Sequence, residues 1–527
     1  MPHKVRDSLF ELIQSLTKSE KRYFKVHASR HTIGEENAYV RLFDYFEKLS
    51  AYDEEKLFAH FEGEAFLNRF SITKKRLYDQ VLASLDAFHA STSVDAQLYR
   101  MLHSADILFS KTLYDQCERL LRSAEKLAMK YDRQVILLEI SRKQKRNFEN
   151  QSYKEMTLPL LDELEHSDDV RKEELALYDR LWFVKSRLFM ELNRKGVART
   201  LQDKSHFEEI IQKMPELVIE SHGFDVQYLF SHTKSAYYFS VACWEESTLH
   251  LNKLLDLFEC HPHMRDERLS AYFSTLTNLV YVSEKLGRTE NSLRYLKLLK
   301  RIPLELDLTN REDLRVKLFA STLSIEMELL SKRGDFEHAR KQLTFMEEGL
   351  ERYGEKIAVP RRCFIRLKMA TICLGLKEWG TARKLLSKLM NDTAIHDHQS
   401  HFVSTQVLNL LLDIETGNTE LFMYALKNLQ RFLKAHDRYN EEEQVVLNSL
   451  GKIARASSEL ERQERWYALY EKLTINHTLS SVIEFIDLTA WAESRSKQKS
   501  FEEIVRSNWE RKTLEMDNSK SIEGIRA

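Results

Sequence analysis

The 527-residue chain carries only 13 Gly and 6 Pro, far below the roughly 7% and 5% of ordinary usage, which argues against β-rich folds that need frequent turn residues. Eighty Lys and Arg against 81 Asp and Glu give a net charge of −1, so no global field draws the chain to nucleic acid or to an anionic membrane. Hydrophobic residues at 43% suffice for a sizeable core, while no apolar run approaches the ~18 residues of a membrane span.

Met1 to Leu16 lacks the continuous apolar core of a signal peptide. Cys117, Cys243, Cys260, Cys363 and Cys373 are odd in number, widely spaced and without a CxxC pair, and read as reduced, mostly buried thiols in a cytoplasm.

Residues 1–92 form a helical N-terminal module, either a compact unit or a cap for the rest of the chain. Leu9, Leu12, Ile13 and Leu16 recur at helical spacing. Thr17-Lys18-Ser19-Glu20 has the capping-box pattern and starts a second helix through Tyr23, Phe24 and Val26. His31 to Glu36 reads as a loop. Ala38 to Leu49 is an aromatic helix, Asp53 caps a short one, and Ser71 to Phe88 makes another with Leu77, Val81, Leu82 and Leu85 on its apolar side.

From about residue 93 a pattern repeats. Gly334 can end one helix with φ > 0 and Asp335 can cap the next, in which Phe336, Ala339 and Leu343 share a face. Comparable anchors stand at Tyr114, Tyr153, Trp244, Thr289, Phe336, Trp379 and Phe422. Three residues on, the side chain is mostly small: Cys117, Met156, Ser247, Ser292, Ala339, Ala382, Ala425. Seven residues on it is Leu every time: Leu121, Leu160, Leu251, Leu296, Leu343, Leu386, Leu429. The small residue lets two helices approach, the Leu fills the gap, and the anchors pack as core. The anchors at 336, 379 and 422 are 43 residues apart; those at 153 and 244 are separated by two periods. The unit between them is irregular, from Tyr178 through Gly196 to Ile211. Gln444 to Leu473 adds a further pair, residues 476–513 hold C-terminal capping helices, and 514–527 is a polar tail.

Helix–turn–helix units with a small residue three after an aromatic anchor resemble tetratricopeptide repeats over roughly residues 93–475. The period of about 43 exceeds that family's 34, and the unit-ending prolines are mostly missing, so the long-unit helical domains of some bacterial regulators are the nearer comparison. Residues 14–26 are also similar to the N-termini of a group of uncharacterised bacterial helical-repeat proteins, which implies no activity. The resemblance implies an all-α, right-handed α-solenoid of about eight helix-turn-helix repeats behind the N-terminal module.

Common reaction chemistries are missing from the sequence. There is no phosphate-binding Gly loop, no GxSxG and no HExxH. His396-Asp397-His398-Gln399-Ser400-His401 and Cys260-His261-Pro262-His263 read as turns between units, because neither offers the four ligands of a structural metal site. The expectation is therefore a non-enzyme with no cofactor and no metal.

Two basic clusters are candidates for contact. Arg142, Lys145 and Arg146 lie at i, i+3 and i+4, and between residues 133 and 146 five cations face one acid, Glu139. This face is the candidate site for a protein or peptide partner, with an acidic segment favoured. Lys74, Lys75 and Arg76 open the 71–88 helix and could touch phosphate, with Lys18, Lys21, Arg22 and Lys25 nearby. Residues 1–90 hold 14 basic and 14 acidic side chains, so that module is not broadly basic and nucleic acid is the weaker partner. The leading expectation is a cytoplasmic protein–protein interaction scaffold or adaptor. The alternative is a transcriptional regulator with residues 1–90 on DNA and the solenoid as sensor.

Overall fold

A computed structural model describes all residues outside 1–6, 30–37, 91–92, 155, 199, 216–221, 307, 309–310, 393–394, 396–397, 437–438, 440, 476–484 and 512–527. Every element among the described residues is a helix, and none is long and apolar enough to cross a membrane. The chain forms two compact units, Met1–Ala176 and Leu177–Ala527.

The first unit opens with α1 (Ser8–Ser15), α2 (Lys18–Ser29), α3 (Ala38–Lys48), α4 (Glu54–His60) and α5 (Phe70–His89). The capping box forms: the Glu20 carboxylate accepts from the Thr17 N–H at 2.7 Å, and the Thr17 hydroxyl accepts from the Glu20 N–H at 3.3 Å. Asp53 caps α4 through the Lys56 N–H at 3.1 Å. These helices share one aromatic core in which Phe24 stacks on Phe43 at 4.4 Å, surrounded by buried Ile13, Leu42, Phe46, Leu57, Leu77 and Val81. Then come α6 (Val94–Ser110), α7 (Tyr114–Lys130) and α8 (Gln134–Asn150), with their own cluster of Leu98, Leu102, Cys117, Leu121, Leu137 and Ile140. The loop expected at His31 to Glu36 lies outside the described residues, as do 514–527.

A 38-residue helix, α9 (Leu158–Lys195), comes next. The repeat pattern places a unit anchor at Tyr153. Instead, Tyr153 sits in a turn with φ +58° and is 55% exposed, and Leu160 seven residues on is exposed too. No apolar face recurs there for a hairpin to bury, so the helix continues until Gly196 takes φ +78°.

The second unit contains α10 (Leu201–Ile211), α11 (Phe224–Ser240), α12 (Trp244–Cys260), α13 (Pro262–Glu267), α14 (Leu269–Lys285), α15 (Thr289–Glu305), α16 (Glu312–Lys332), α17 (Phe336–Lys341), α18 (Leu343–Tyr353), α19 (Val359–Gly375), α20 (Trp379–Met390), α21 (Gln399–Glu415), α22 (Thr419–Ala435), α23 (Glu441–Ala454), α24 (Glu459–Ile475) and α25 (Leu488–Ser496). Residues 501–511 are also helical. Helices pack in adjacent pairs: α11 with α12, α14 with α15, α16 with α17, α19 with α20, α21 with α22 and α23 with α24; in the first unit α6 pairs with α7.

The turn inside all of these pairs but α23–α24 has one geometry. Thr112, Ala242, Gly287, Gly334, Lys377 and Gly417 all have φ between +59° and +72°, and each stands two residues before a second helix. The next residue then donates its N–H to the carbonyl five back: Leu113 to Leu108, Cys243 to Tyr238, Arg288 to Ser283, Asp335 to Leu330, Glu378 to Cys373 and Asn418 to Asp413, at 2.8–3.0 Å. This is the Schellman cap, which satisfies an orphan carbonyl of the first helix. It corrects the register of the last anchor, because α22 begins at Thr419, and Phe422 occupies the third position beyond it.

The small residue three into the second helix also bonds. Cys117 donates to the Ala105 carbonyl (3.4 Å), Ser247 to Ser235 (2.9 Å) and Ser292 to Val280 (3.4 Å), each 12 residues back on the first helix. Close approach of the two backbones thus lets a side chain of one helix bond a main-chain carbonyl of the other.

Candidate interaction surface

The basic cluster on α8 is largely neutralised by its neighbours. Lys145 pairs with Asp168 at 2.5 Å. Lys143 and Arg146 both pair with Asp106, at 2.7 and 2.9 Å. Arg146 also lies 3.9 Å over the Phe109 ring, and Arg133 pairs with Asp95 at 2.5 Å. Burial would raise the Asp168 and Asp106 carboxyls, but the hydrogen-bonded cations outweigh it and hold both below the usual range. Arg142, Lys145 and Arg146 are all exposed, and Arg142 lines a shallow cleft with His103, Val135 and Leu138. The sequence count of five cations to one acid missed these acids because they come from α6 and α9.

Lys74 is likewise engaged. It pairs with Asp7, donates to the Tyr52 hydroxyl at 3.2 Å and lies 5.2 Å over the Phe70 ring. Lys75 and Arg76 are exposed. Lys21 and Lys25 pair with Glu47, at 3.8 and 2.8 Å.

Neither histidine cluster is a gathered ligand set among the described residues. His398 faces the Asn193 carbonyl at 3.1 Å, and His261 the Leu257 carbonyl at 3.0 Å. His396 and Asp397 lie outside the described residues. The five cysteines are free thiols; Cys117, Cys363 and Cys373 are buried, and burial pushes Cys363 up to about 11 and Cys373 up to about 12.

The most built surface lies in the second unit, on first helices α19 and α21, the α16–α17 turn, Phe336 of second helix α17, and α24. There the C-terminal segment of the chain returns and docks. Thr371 of α19 donates to the Phe485 carbonyl at 3.1 Å. Phe501 packs on Phe336 (5.4 Å) and on Trp491 (4.9 Å), which is fully buried. Arg495 pairs with Glu415 at the end of α21 (2.6 Å) and lies 4.5 Å over Trp491. At Gly334 a Cβ would come within 2.8 Å of the Arg506 nitrogen and the Glu502 carbonyl, so the 501–511 helix approaches the α16 turn as closely as glycine permits.

Beside this segment is a cleft of about 560 Å³ lined by Glu284, Lys285, Glu328, Lys332, Lys368 and Asp487, with Phe485 and Trp509 at its edge. Burial would raise Glu328, but Lys368 and Lys332 outweigh it and hold its pKa at about 2. Lys332 bridges Glu284 and Glu328 at 3.5 Å each. Asp487 also lines the cleft, but its carboxylate caps α25 by accepting from the Ala490 N–H at 2.9 Å, while Lys368 pairs with Glu328.

No signal in the sequence marks this surface. Apart from α24, the C-terminal segment meets residues 80 to 172 positions earlier, and these partners show only as ordinary members of helices and turns. Arg333, Gly334 and Phe336 were legible as turn and anchor, but not as contacts of that segment.

The architecture defines the class: an all-helical array of adjacent pairs against which the chain's own C-terminal helices pack. A scan against protein-family models finds no match for the chain, and a search of the curated proteins finds no relative.

Proposed function

We propose that the protein is a non-enzymatic interaction scaffold whose array, a tetratricopeptide-like right-handed solenoid of about eight pairs, binds a segment of a protein partner along its inner, first-helix face in the cytoplasm. The observation that carries this reading is the docked C-terminal segment. The face already holds a polypeptide in cis through a backbone carbonyl at Phe485, aromatic anchors at Phe485 and Phe501, and an ion pair at Arg495. A helical segment laid by its apolar side chains against a complementary surface is one of the recurring modes of peptide recognition. A DNA-binding role for residues 1–90 is the weaker reading, because Lys74, Lys21 and Lys25 are occupied by Asp7 and Glu47.

The test is a photo-crosslinking amino acid placed at Tyr281, on first helix α14, or at Leu249, exposed on second helix α12. Irradiation in the native lysate should yield a polypeptide adduct from position 281 and none from 249. Equal adducts from both positions, or none from 281, would refute the inner face as the binding surface.

A further inference from the structure

Upstream of the docked segment, the same face carries cations that the fold leaves on neutral acceptors. Lys317, in α16, donates to the Ser270 carbonyl and hydroxyl (2.8 Å to the latter) and to the Ser274 hydroxyl (2.7 Å), all on α14. Arg361, at the start of α19, donates through Nε to the Ala320 carbonyl (3.2 Å) and through its terminal nitrogen to the Ser321 carbonyl (3.4 Å) on α16. Lys185 on α9 lies 5.8 Å from the Trp182 ring. Among the described residues, none of the three has a carboxylate within ion-pair distance. His232 lies among them, stacked between Phe189 (5.3 Å) and Tyr228 (5.5 Å).

The charges that do face this strip are few. Burial lowers the His232 ring to about 4, with Lys185 and Lys317 adding to the effect, so it is a neutral polar ring near pH 7. Burial lowers Lys317 to about 8; Asp313 pulls it back and Arg361 pushes it further. Asp313 is itself 3.4 Å from Arg311, and Asp225 of α11 is held by Arg268 at 2.6 Å. Burial also lowers Arg361, to about 10. A cation that the fold desolvates without an acid costs stability. It also stands ready for an anion, because an incoming carboxylate gains a charge-assisted hydrogen bond without first stripping the cation of water.

The spacing indicates which anion. Lys317 and Arg361 stand on consecutive first helices, and neighbouring helix axes lie roughly 8–10 Å apart. An extended chain advances about 3.3 Å per residue, so one acid in about every three residues would meet successive helices. A lone small anion would occupy one cation and leave the others unused.

We infer that this strip receives an acidic peptide segment of the partner, its Asp or Glu side chains seated on Lys185, Lys317 and Arg361; the inference rests on the protein-binding reading above and names the chemistry of the bound segment. It moves the acid-recognising site away from Arg142, Lys145 and Arg146, of which Lys145 and Arg146 are met by Asp168 and Asp106.

The experiment is selection of a displayed random dodecapeptide library on the full-length protein, the K317Q/R361Q variant and the R142E/K145E variant, with circular dichroism melts as folding controls. Wild type should enrich peptides rich in Asp and Glu, and replacing those acids by their amides in a selected peptide should weaken binding about tenfold, the scale of close charge pairs at an interface. R142E/K145E should select the same acidic peptides, and K317Q/R361Q should lose the acidic bias. Enrichment of peptides without acidic bias on wild type would overturn the inference while sparing the peptide-binding reading. No enrichment over bare matrix would overturn both. If K317Q/R361Q does not fold, the wild-type composition and the amide comparison still decide.

Discussion

Two basic regions of this chain look alike in composition and differ in what the fold does with them. On α8, Lys143, Lys145 and Arg146 are met by Asp106 and Asp168, so the attraction a partner would feel is mostly cancelled. In the second unit, Lys317 of α16 and Arg361 of α19 rest on serines and main-chain carbonyls. The sequence makes the first region conspicuous because its cations are adjacent in the chain. The second hides because its members are 44 positions apart. The contrast teaches that a run of like charge is where folding most needs counter-charges, whereas a cation left on neutral acceptors has attraction to spare.

The largest expected effect breaks the paired region. Asp168 is buried and takes Lys145, the Ser141 hydroxyl and Arg171. Asp168→Ala should cost about 3 kcal/mol, because a partner of a buried pair is removed and the cations stay. Urea denaturation of the variant measures it. A loss below about 0.5 kcal/mol would mean that the pair is no more than a surface ion pair.

The second prediction uses pH on the helices around Lys317. The His232 ring has its pKa lowered to about 4 in the folded protein, with Lys185 and Lys317 facing it. Below the ordinary histidine value the unfolded chain takes up a proton that the folded chain refuses. Stability should therefore fall as pH drops from about 6.5 toward 4, by up to about 1.4 kcal/mol per pH unit for this ring. His250, lowered to about 4 chiefly by burial, adds the same sign. His232→Phe should flatten the slope in thermal melts between pH 6.5 and 4. An unchanged slope would show that the ring is hydrated.

Lys317→Met sharpens the comparison at neutral pH. Burial lowers the ammonium's pKa to about 8, so its charge opposes folding below that value. Wild-type stability should accordingly rise between about pH 8 and 10.5, where the folded lysine is neutral and the unfolded one charged. The Met variant should be more stable than wild type at pH 7 by roughly 1 kcal/mol after discounting for partial exposure, and its advantage should shrink above pH 8. A stabilised variant that loses acidic-peptide selectivity would tie the cost of this cation to its use. A destabilised variant would mean that the serine hydrogen bonds outweigh the burial cost.

The smallest effect concerns the turns that position both regions. Lys377 occupies a left-handed position, φ +60°, that Gly287, Gly334 and Gly417 fill in sister turns. Lys377→Gly should stabilise by about 0.5–1 kcal/mol, the order of the penalty a side chain incurs there less the greater freedom of glycine in the unfolded chain. Differential scanning calorimetry resolves it, and a loss would show that the lysine stem packs.

Local rules reach far in this chain. The helices, the capping box at Thr17–Glu20, the Asp53 cap and the turn before Phe336 depend on residues within five positions of one another, and these features lie where the sequence places them. The same rules misplace Tyr153, where a periodic face ends and the helix simply continues, and they shift Phe422 because the left-handed turn falls at Gly417.

What only the tertiary structure decided is the electrostatic surface and its occupancy. Which cations meet an acid depends on Asp106 and Asp168, brought up to 40 residues across the chain to α8. Which part of the helical array is covered depends on a segment that reaches Thr371 from 114 residues away and Gly334 from 172. Helix formation and capping are short-range, so their signals survive in one dimension. Charge compensation and the docking of a returning segment are set by distances in space, and sequence separation carries no record of them.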